Sequence, residues 1–195
     1  MADSNITKRA LAAALKELME EEPFDKIQVA QICERCGMNR KSFYYHFKDK
    51  YDLVNWIFNT EIIAFNKKRS DVEQYDDRIE MFQEICSYFY ENRNFYRKAL
   101  KIEGQNSFSE HFREYIRPLL KLRLTPLIGD LADDEFTLNL FSDAIVCSME
   151  RWLQDKNCMP PEQLVSKLLT FVRLSANALH EEFNRENNKE QGGQK

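Results

Sequence analysis

Asn39, Arg40, Lys41 and Ser42 stand together, and all four carry side chains suited to reading base edges. Arginine and lysine pair with guanine, asparagine with adenine, and serine with either. Tyr44, Tyr45 and His46 follow at once, with Lys48 and Lys50 just beyond. Tyrosine hydroxyls, lysines and helix N-termini are typical phosphate contacts. Phe43 and Phe47, four residues apart, fit the core side of the same short helix. The chemistry indicated is non-covalent recognition of nucleic acid. Charge agrees locally: residues 26–50 hold six basic and two acidic side chains, net +4 in a chain of net charge −4, so the rest sums to −8. A basic island on an acidic protein is the electrostatic footprint of a nucleic-acid site.

Other reactive residues form no comparable set. Cys33-x-x-Cys36 has the spacing of a zinc or redox pair, but zinc needs about four ligands and no second pair follows. Small buried thiols are the expected role. His46 belongs to the basic stretch, and His111 and His180 are isolated. No Ser/His/Asp set, paired-carboxylate motif or glycine-rich phosphate loop is present, so neither catalysis nor a metal or other cofactor is expected.

The elements that must position these residues are helical. The 195 residues include only 5 Gly and 5 Pro, too little turn punctuation for a β-sandwich or doubly wound fold. Apolar residues recurring at three and four steps predict helices at about 5–21, 28–35, 40–47, 49–68, 75–92, 94–102, 107–128 (kinked or broken near Pro118 and Pro126), 134–156 and 161–185. Residues 186–195 read as a polar, disordered tail. Gly37, the one glycine in the first hundred residues, separates the second and third helices as in a helix-turn-helix. No apolar run reaches the roughly 18–20 residues of a membrane span, and the charged start has no signal-peptide core. A cytoplasmic location is expected.

The last helix is apolar around more of its circumference than one packing face requires. It and the helix 134–156 therefore suit a two-fold four-helix interface, with Ile145, Met149, Leu168, Phe171, Val172, Ser175 and Leu179 as candidates. The alternative is that both helices are simply central.

Residues 6–58 resemble the TetR family of bacterial transcriptional regulators. The resemblance rests on Ile32-Cys33-x-x-Cys36-Gly37-Met38-Asn39, then Phe43-Tyr44-Tyr45-His46-Phe47-x-x-Lys50-x-x-Leu53, behind an amphipathic first helix. The opening and the YYHF-type core look similar to dihydroxyacetone kinase regulators of low-GC Gram-positive bacteria. The resemblance implies an all-α fold: a three-helix DNA-binding head at 1–50 and a helical ligand-binding and dimerisation domain at 51–185. It also implies DNA-facing roles for Gln28, Asn39, Arg40, Lys41, Tyr44, Tyr45, His46 and Lys50. Gln28 and Asn39 stand where the family has serine or threonine caps. A homodimer on a near-palindromic operator follows from the resemblance, with repression the common outcome and a small-molecule effector in the second domain. Phe82, Phe89, Phe108, Phe112, Tyr115, Phe141 and Trp152 are candidate pocket residues, ordinary core packing being the competing role for each. Two alternatives stay open: regulation through a protein partner, and a thiol or metal sensor at Cys33 and Cys36.

Overall fold

The computed structural model describes residues 2–66, 75–104 and 106–192, and every regular element among them is helical. The α-helices are α1 (Ala2–Glu21), α2 (Val29–Arg35), α3 (Arg40–His46), α4 (Lys50–Asn66), α5 (Tyr75–Glu91), α6 (Arg93–Ala99), α7 (Phe108–Ile128), α8 (Glu135–Gln154) and α9 (Pro161–Gly192). Two 3-10 turns, Phe24–Lys26 and Gly129–Asp133, complete them.

The N-terminal helices follow from identifiable local signals. Leu11, Leu15, Leu18 and Met19 make the buried stripe of α1. Pro23 then ends the helix, and Phe24 is buried beneath the turn that follows. Gly37 adopts a φ of 68°, and the amides of Gly37 and Met38 donate to the carbonyls of Glu34 (3.1 Å) and Cys33 (2.8 Å). This paired closure satisfies the last carbonyls of α2, and its left-handed residue favours glycine. Asn39 caps α3: its Oδ1 accepts from the Ser42 amide at 2.8 Å. Asp49 Oδ1 accepts from the Asp52 amide at 2.8 Å, fixing the start of α4.

Packing joins this head to the rest. α1 packs on α2, α3, α4 and α6, while α7 contacts α4, α8 and α9. Phe58 of α4 sits at the centre of the body. Its ring centroid lies 5.3 Å from Phe108, 5.6 Å from Phe112, 5.2 Å from Tyr115 and 6.1 Å from Phe89. Polar ties cross the same junction. Glu61 of α4 receives Lys16 of α1 and the Tyr96 hydroxyl of α6, and Lys98 donates to the Met19 carbonyl near the end of α1. A cation at a helix C-terminus is favourably placed against the helix dipole.

Two expectations change. α7 is one helix from Phe108 to Ile128 with Pro118 and Pro126 inside it, so it is not broken there. Residues 186–192, read as tail, continue α9. Their Glu, Lys and Gln are good helix formers, and extending an existing helix avoids the cost of nucleation. Residues 67–68, expected at the end of α4, and 193–195 lie outside the described residues.

Candidate nucleic-acid interface

The short helix α3 is two-sided. Phe43 and Phe47 are buried, and Phe47 packs edge-on against Trp56 of α4 with centroids 5.7 Å apart. The opposite side carries exposed Arg40, Lys41, Tyr44 and Tyr45. Tyr44 and Tyr45 are 58% and 83% exposed. Large aromatic residues that open to solvent beside two cations suit the surface of a polyanion.

Asn39 and Ser42 are less free than their types suggest. Besides accepting from the Ser42 amide, Asn39 Oδ1 accepts from Ser42 Oγ at 3.2 Å. Bidentate pairing with adenine uses both the oxygen and the nitrogen of an asparagine. With its oxygen engaged, Asn39 keeps only the amide donor. His46 is half-buried, its ring edge-on to Tyr45 with centroids 4.9 Å apart. Lys48 is exposed, but its backbone amide donates to Asp52 Oδ2 at 3.0 Å. Only its side chain is therefore open to a phosphate. Gln28 is exposed at the start of α2, where its amide donates to Gln31 Oε1 at 2.6 Å.

The basic island contains two cations with internal work. Lys50, expected to face DNA, points into the head instead. Its ammonium donates to the carbonyls of Phe24 (2.6 Å), Ile27 (2.9 Å) and Asp25 (3.2 Å), and lies 4.4 Å from the centre of the Phe24 ring. Three donors meet three acceptors, so Lys50 clamps the α1–α2 connection to α4. Burial lowers its pKa, with Asp25 and Glu22 acting in the opposite direction. Arg35 forks onto Glu21 with two contacts of 2.7 Å, holding that carboxyl below the usual carboxylate range. Lys26, Arg40, Lys41 and Lys48 remain exposed. Sequence reasoning missed Lys8 of α1, whose ammonium lies 5.9 Å from the Phe47 ring centre and 5.8 Å from that of Trp56. The Lys8-Arg9 pair was the available signal, but it lies outside the island.

Cys33 is buried and Cys36 half-buried, with Cys36 Sγ donating to the Ile32 carbonyl at 3.2 Å. Burial pushes both thiols upward, which disfavours the reactive thiolate. Among the described residues no group of three or more His, Cys, Asp or Glu could hold a metal ion.

In the body, most of the expected pocket residues are core. Phe89, Phe108 and Phe112 are buried in the cluster around Phe58, and Tyr115 packs on the same ring. Phe141 is buried, and Trp152 donates from Nε1 to the Met159 carbonyl at 2.7 Å. Of the seven, Phe82 alone lines the apolar cavity of about 80 Å³ found between α5, α7, α8 and α9. The expected interface set also divides. Ile145, Met149, Leu168 and Val172 are buried within the subunit, Ser175 is half-buried, and Phe171 and Leu179 are exposed. Four residues outside that set, Phe136 (73%), Leu140 (55%), Leu174 (58%) and Phe183 (42%), are the other large apolar side chains exposed on α8 and α9.

Comparison with known proteins fits this arrangement. A model of the N-terminal region of bacterial regulatory proteins of the tetR family matches residues 10–57. A model of a transcriptional regulator C-terminal region of the same family matches residues 76–174. The chain belongs to the TetR family, whose members are non-enzymatic transcription factors that bind DNA and typically act as dimers. No helix among the described residues is long and apolar enough to cross a membrane.

Among characterised relatives, the HTH-type dhaKLM operon transcriptional activator DhaS of Lactococcus lactis is 30% identical over 112 residues, a match covering 57% of each chain. Among solved structures, a TetR transcriptional regulator from Streptococcus agalactiae superposes with TM-score 0.67 at 22% identity, covering 88% of this chain and 96% of that one. A dihydroxyacetone kinase operon activator DhaS gives 0.57 at 20% identity, with coverages of 89% and 97%. NalD of Pseudomonas aeruginosa, a secondary repressor of a multidrug efflux pump, gives 0.58 at 19%, with coverages of 87% and 95%. The structural likenesses concern the fold.

Proposed function

We propose that this regulator binds a near-palindromic operator as a homodimer in the cytoplasm and responds to a small-molecule effector held in the second domain. The carrying observation is the two-sidedness of α3, where buried Phe43 and Phe47 leave Arg40, Lys41, Tyr44 and Tyr45 outward. In a helix-turn-helix that outward side enters the major groove. Arg40 and Lys41 read bases, while Tyr44, Tyr45, His46, Lys48 and Gln28 hold the backbone. Repression is the sign the family resemblance implies. The Lactococcus relative is named an activator, so a promoter fused to a reporter, with and without the regulator, decides between the two signs.

Lysine variants test the division of labour in the head. Removing a phosphate-contacting lysine lowers the salt dependence of DNA binding by about one unit of slope. Lys48→Ala is expected to do so with unchanged thermal stability. Lys50→Ala is expected to lower the melting temperature and leave the slope unchanged, because its ammonium holds carbonyls within the head. Salt titrations of operator binding beside thermal melts check both, and a reduced slope in Lys50→Ala would return that residue to the phosphate.

The exposed apolar faces of α8 and α9 support the dimer. Monomeric proteins rarely leave such residues contiguous. Phe171→Glu is expected to shift the protein from dimer to monomer in analytical ultracentrifugation and to weaken operator binding, since each head then binds alone. A Phe171→Glu protein that sediments as the parent does would place the interface elsewhere.

A further inference from the structure

Four helices meet at one carboxylate where the head joins the body. Glu61, in the second half of α4, accepts from the Lys16 ammonium of α1 and from the Tyr96 hydroxyl of α6. Tyr88 of α5 hydrogen-bonds the same group. The side chain of Glu61 is 19% exposed and that of Lys16 30%, and Tyr96 is fully buried. A carboxylate taken largely out of water needs such partners. Burial and the charge of Glu61 push the pKa of Tyr96 well up, so its hydroxyl keeps its proton and remains a donor.

The short helix α6 extends this junction to both sides. Its Lys98 donates to the carbonyls of Met19 and Glu20 at the end of α1, the second at 3.3 Å. The adjacent Arg97 carbonyl accepts from Gln154 Nε2 of α8 at 2.7 Å. A helix of the head and a helix that bears exposed Phe136 and Leu140 are thus tied to the same seven residues. Apolar packing, which surrounds these groups, is non-directional. Hydrogen bonds weaken steeply as their angle departs from ideal. One charged acceptor shared by donors from three other helices therefore fixes the angle at which α1 and α4 stand on α5 and α6.

We infer that Glu61 is a positioning residue for operator recognition: with Lys16 and Tyr96 it sets the angle of the head on the body, and so the half-site spacing that the dimer accepts. This rests on the dimeric reading given above. Two-fold symmetry applies any change of that angle to both heads, which doubles its effect on the separation of the two α3 helices. None of the three side chains lies on α3. Spacing and base preference are therefore set by different residues.

Competition of the full chain for a set of duplexes tests the assignment. Each duplex carries the same two half-sites, selected with the parent protein, and the spacer changes in single base-pair steps. The parent is expected to show one sharply preferred spacing. Glu61→Gln keeps the shape of the side chain and removes its charge. Tyr96→Phe removes only the hydroxyl and keeps the ring stacked on Phe89, with centroids 4.0 Å apart, so its fold is retained. In both variants the preference for the best spacing over its neighbours is expected to fall by about three- to tenfold, the scale of one lost hydrogen bond. Base preference within each half-site should stay as in the parent. Trp152→Phe, which loses the hydrogen bond to the Met159 carbonyl within the body, is the control for lost stability, and its spacing profile should match the parent's. Equal weakening at every spacing, or the same flattening in Trp152→Phe, would overturn the assignment. So would variants that keep the parent's sharp optimum, and the dimer would then still stand. A parent that binds one half-site as tightly as two would remove the dimeric reading, and the role of Glu61 with it.

Discussion

Replacing Phe58 by alanine is expected to destabilise the protein by about 3–5 kcal/mol, the usual range for emptying a large aromatic site in a core. Phe58 is fully buried and meets Phe89, Phe108, His111, Phe112 and Tyr115, each at an angle close to edge-on. Such arrangements add roughly 0.5–1.5 kcal/mol per pair beyond area burial. The rings come from α4, α5 and α7, so the site cannot collapse without moving three helices. For a chain of this size each kcal/mol lowers the melting temperature by roughly 2–4 °C, which gives a fall of about 6–20 °C. Thermal denaturation followed by circular dichroism checks it. Phe58→Leu should retain more than half of the stability lost by Phe58→Ala. A fall below about 3 °C for alanine would mean that the cluster is loosely packed and that α4 is anchored elsewhere.

The second large effect concerns DNA. Arg40→Ala is expected to weaken operator binding by roughly 1–3 kcal/mol if it pairs with a base, and Lys41→Ala by a similar or smaller amount. Both side chains are exposed at the first turn of α3, and no ion pair occupies either among the described residues. Arg35, by contrast, is already committed to Glu21. The decisive property is discrimination. Loss of base reading lowers affinity for the operator more than for random DNA, whereas loss of a phosphate contact lowers both alike. Fluorescence anisotropy with operator and scrambled duplexes at one fixed salt concentration separates the two. Equal losses would make Arg40 a backbone contact and move the reading of sequence to Tyr44 and Tyr45.

Much of the head was legible in the chain because its signals are local. The four-residue spacing of Phe43 and Phe47 marks the core side of α3, and Gly37 marks the turn before it. Asn39 is a cap by type and by position, and its hydrogen bond reaches only three residues ahead. What escaped involves partners distant in sequence. Lys50 looks like one more cation of a basic island, and its carbonyl acceptors lie 23–26 residues away. Arg35 counts toward the same island until Glu21, on another helix, is brought against it. The body shows the same division. Helical periodicity gives the helices, but four of the aromatic residues that seemed free to line a pocket, Phe89, Phe108, Phe112 and Tyr115, meet one another through Phe58. The cavity that does form is walled mainly by aliphatic residues, which carry no signal distinguishing a lining from a core. Likewise the surplus apolar surface of the last two helices was visible, whereas the side that faces inward depends on how α7 packs against them. Ile145, Met149, Leu168 and Val172 went inward, and Phe136, Leu140 and Leu174 stayed out.

These details bear on how a protein of net charge −4 engages a polyanion. The exposed cations near α3 are fewer than the sequence count, because Lys50 and Arg35 serve the fold. Those that remain are concentrated on one short helix and its flanks, while the rest of the chain is acidic. Such a distribution favours approach of the head and disfavours other orientations.

Selection of bound duplexes from a random DNA pool by the full-length protein, followed by sequencing, tests the central claim most directly. The account predicts a near-palindromic site whose half-sites lie about one helical turn apart or slightly more. The Arg40→Ala protein should relax preference at one symmetric pair of positions. An enriched site without two-fold symmetry, or a pool that stays random with the parent protein, would contradict it.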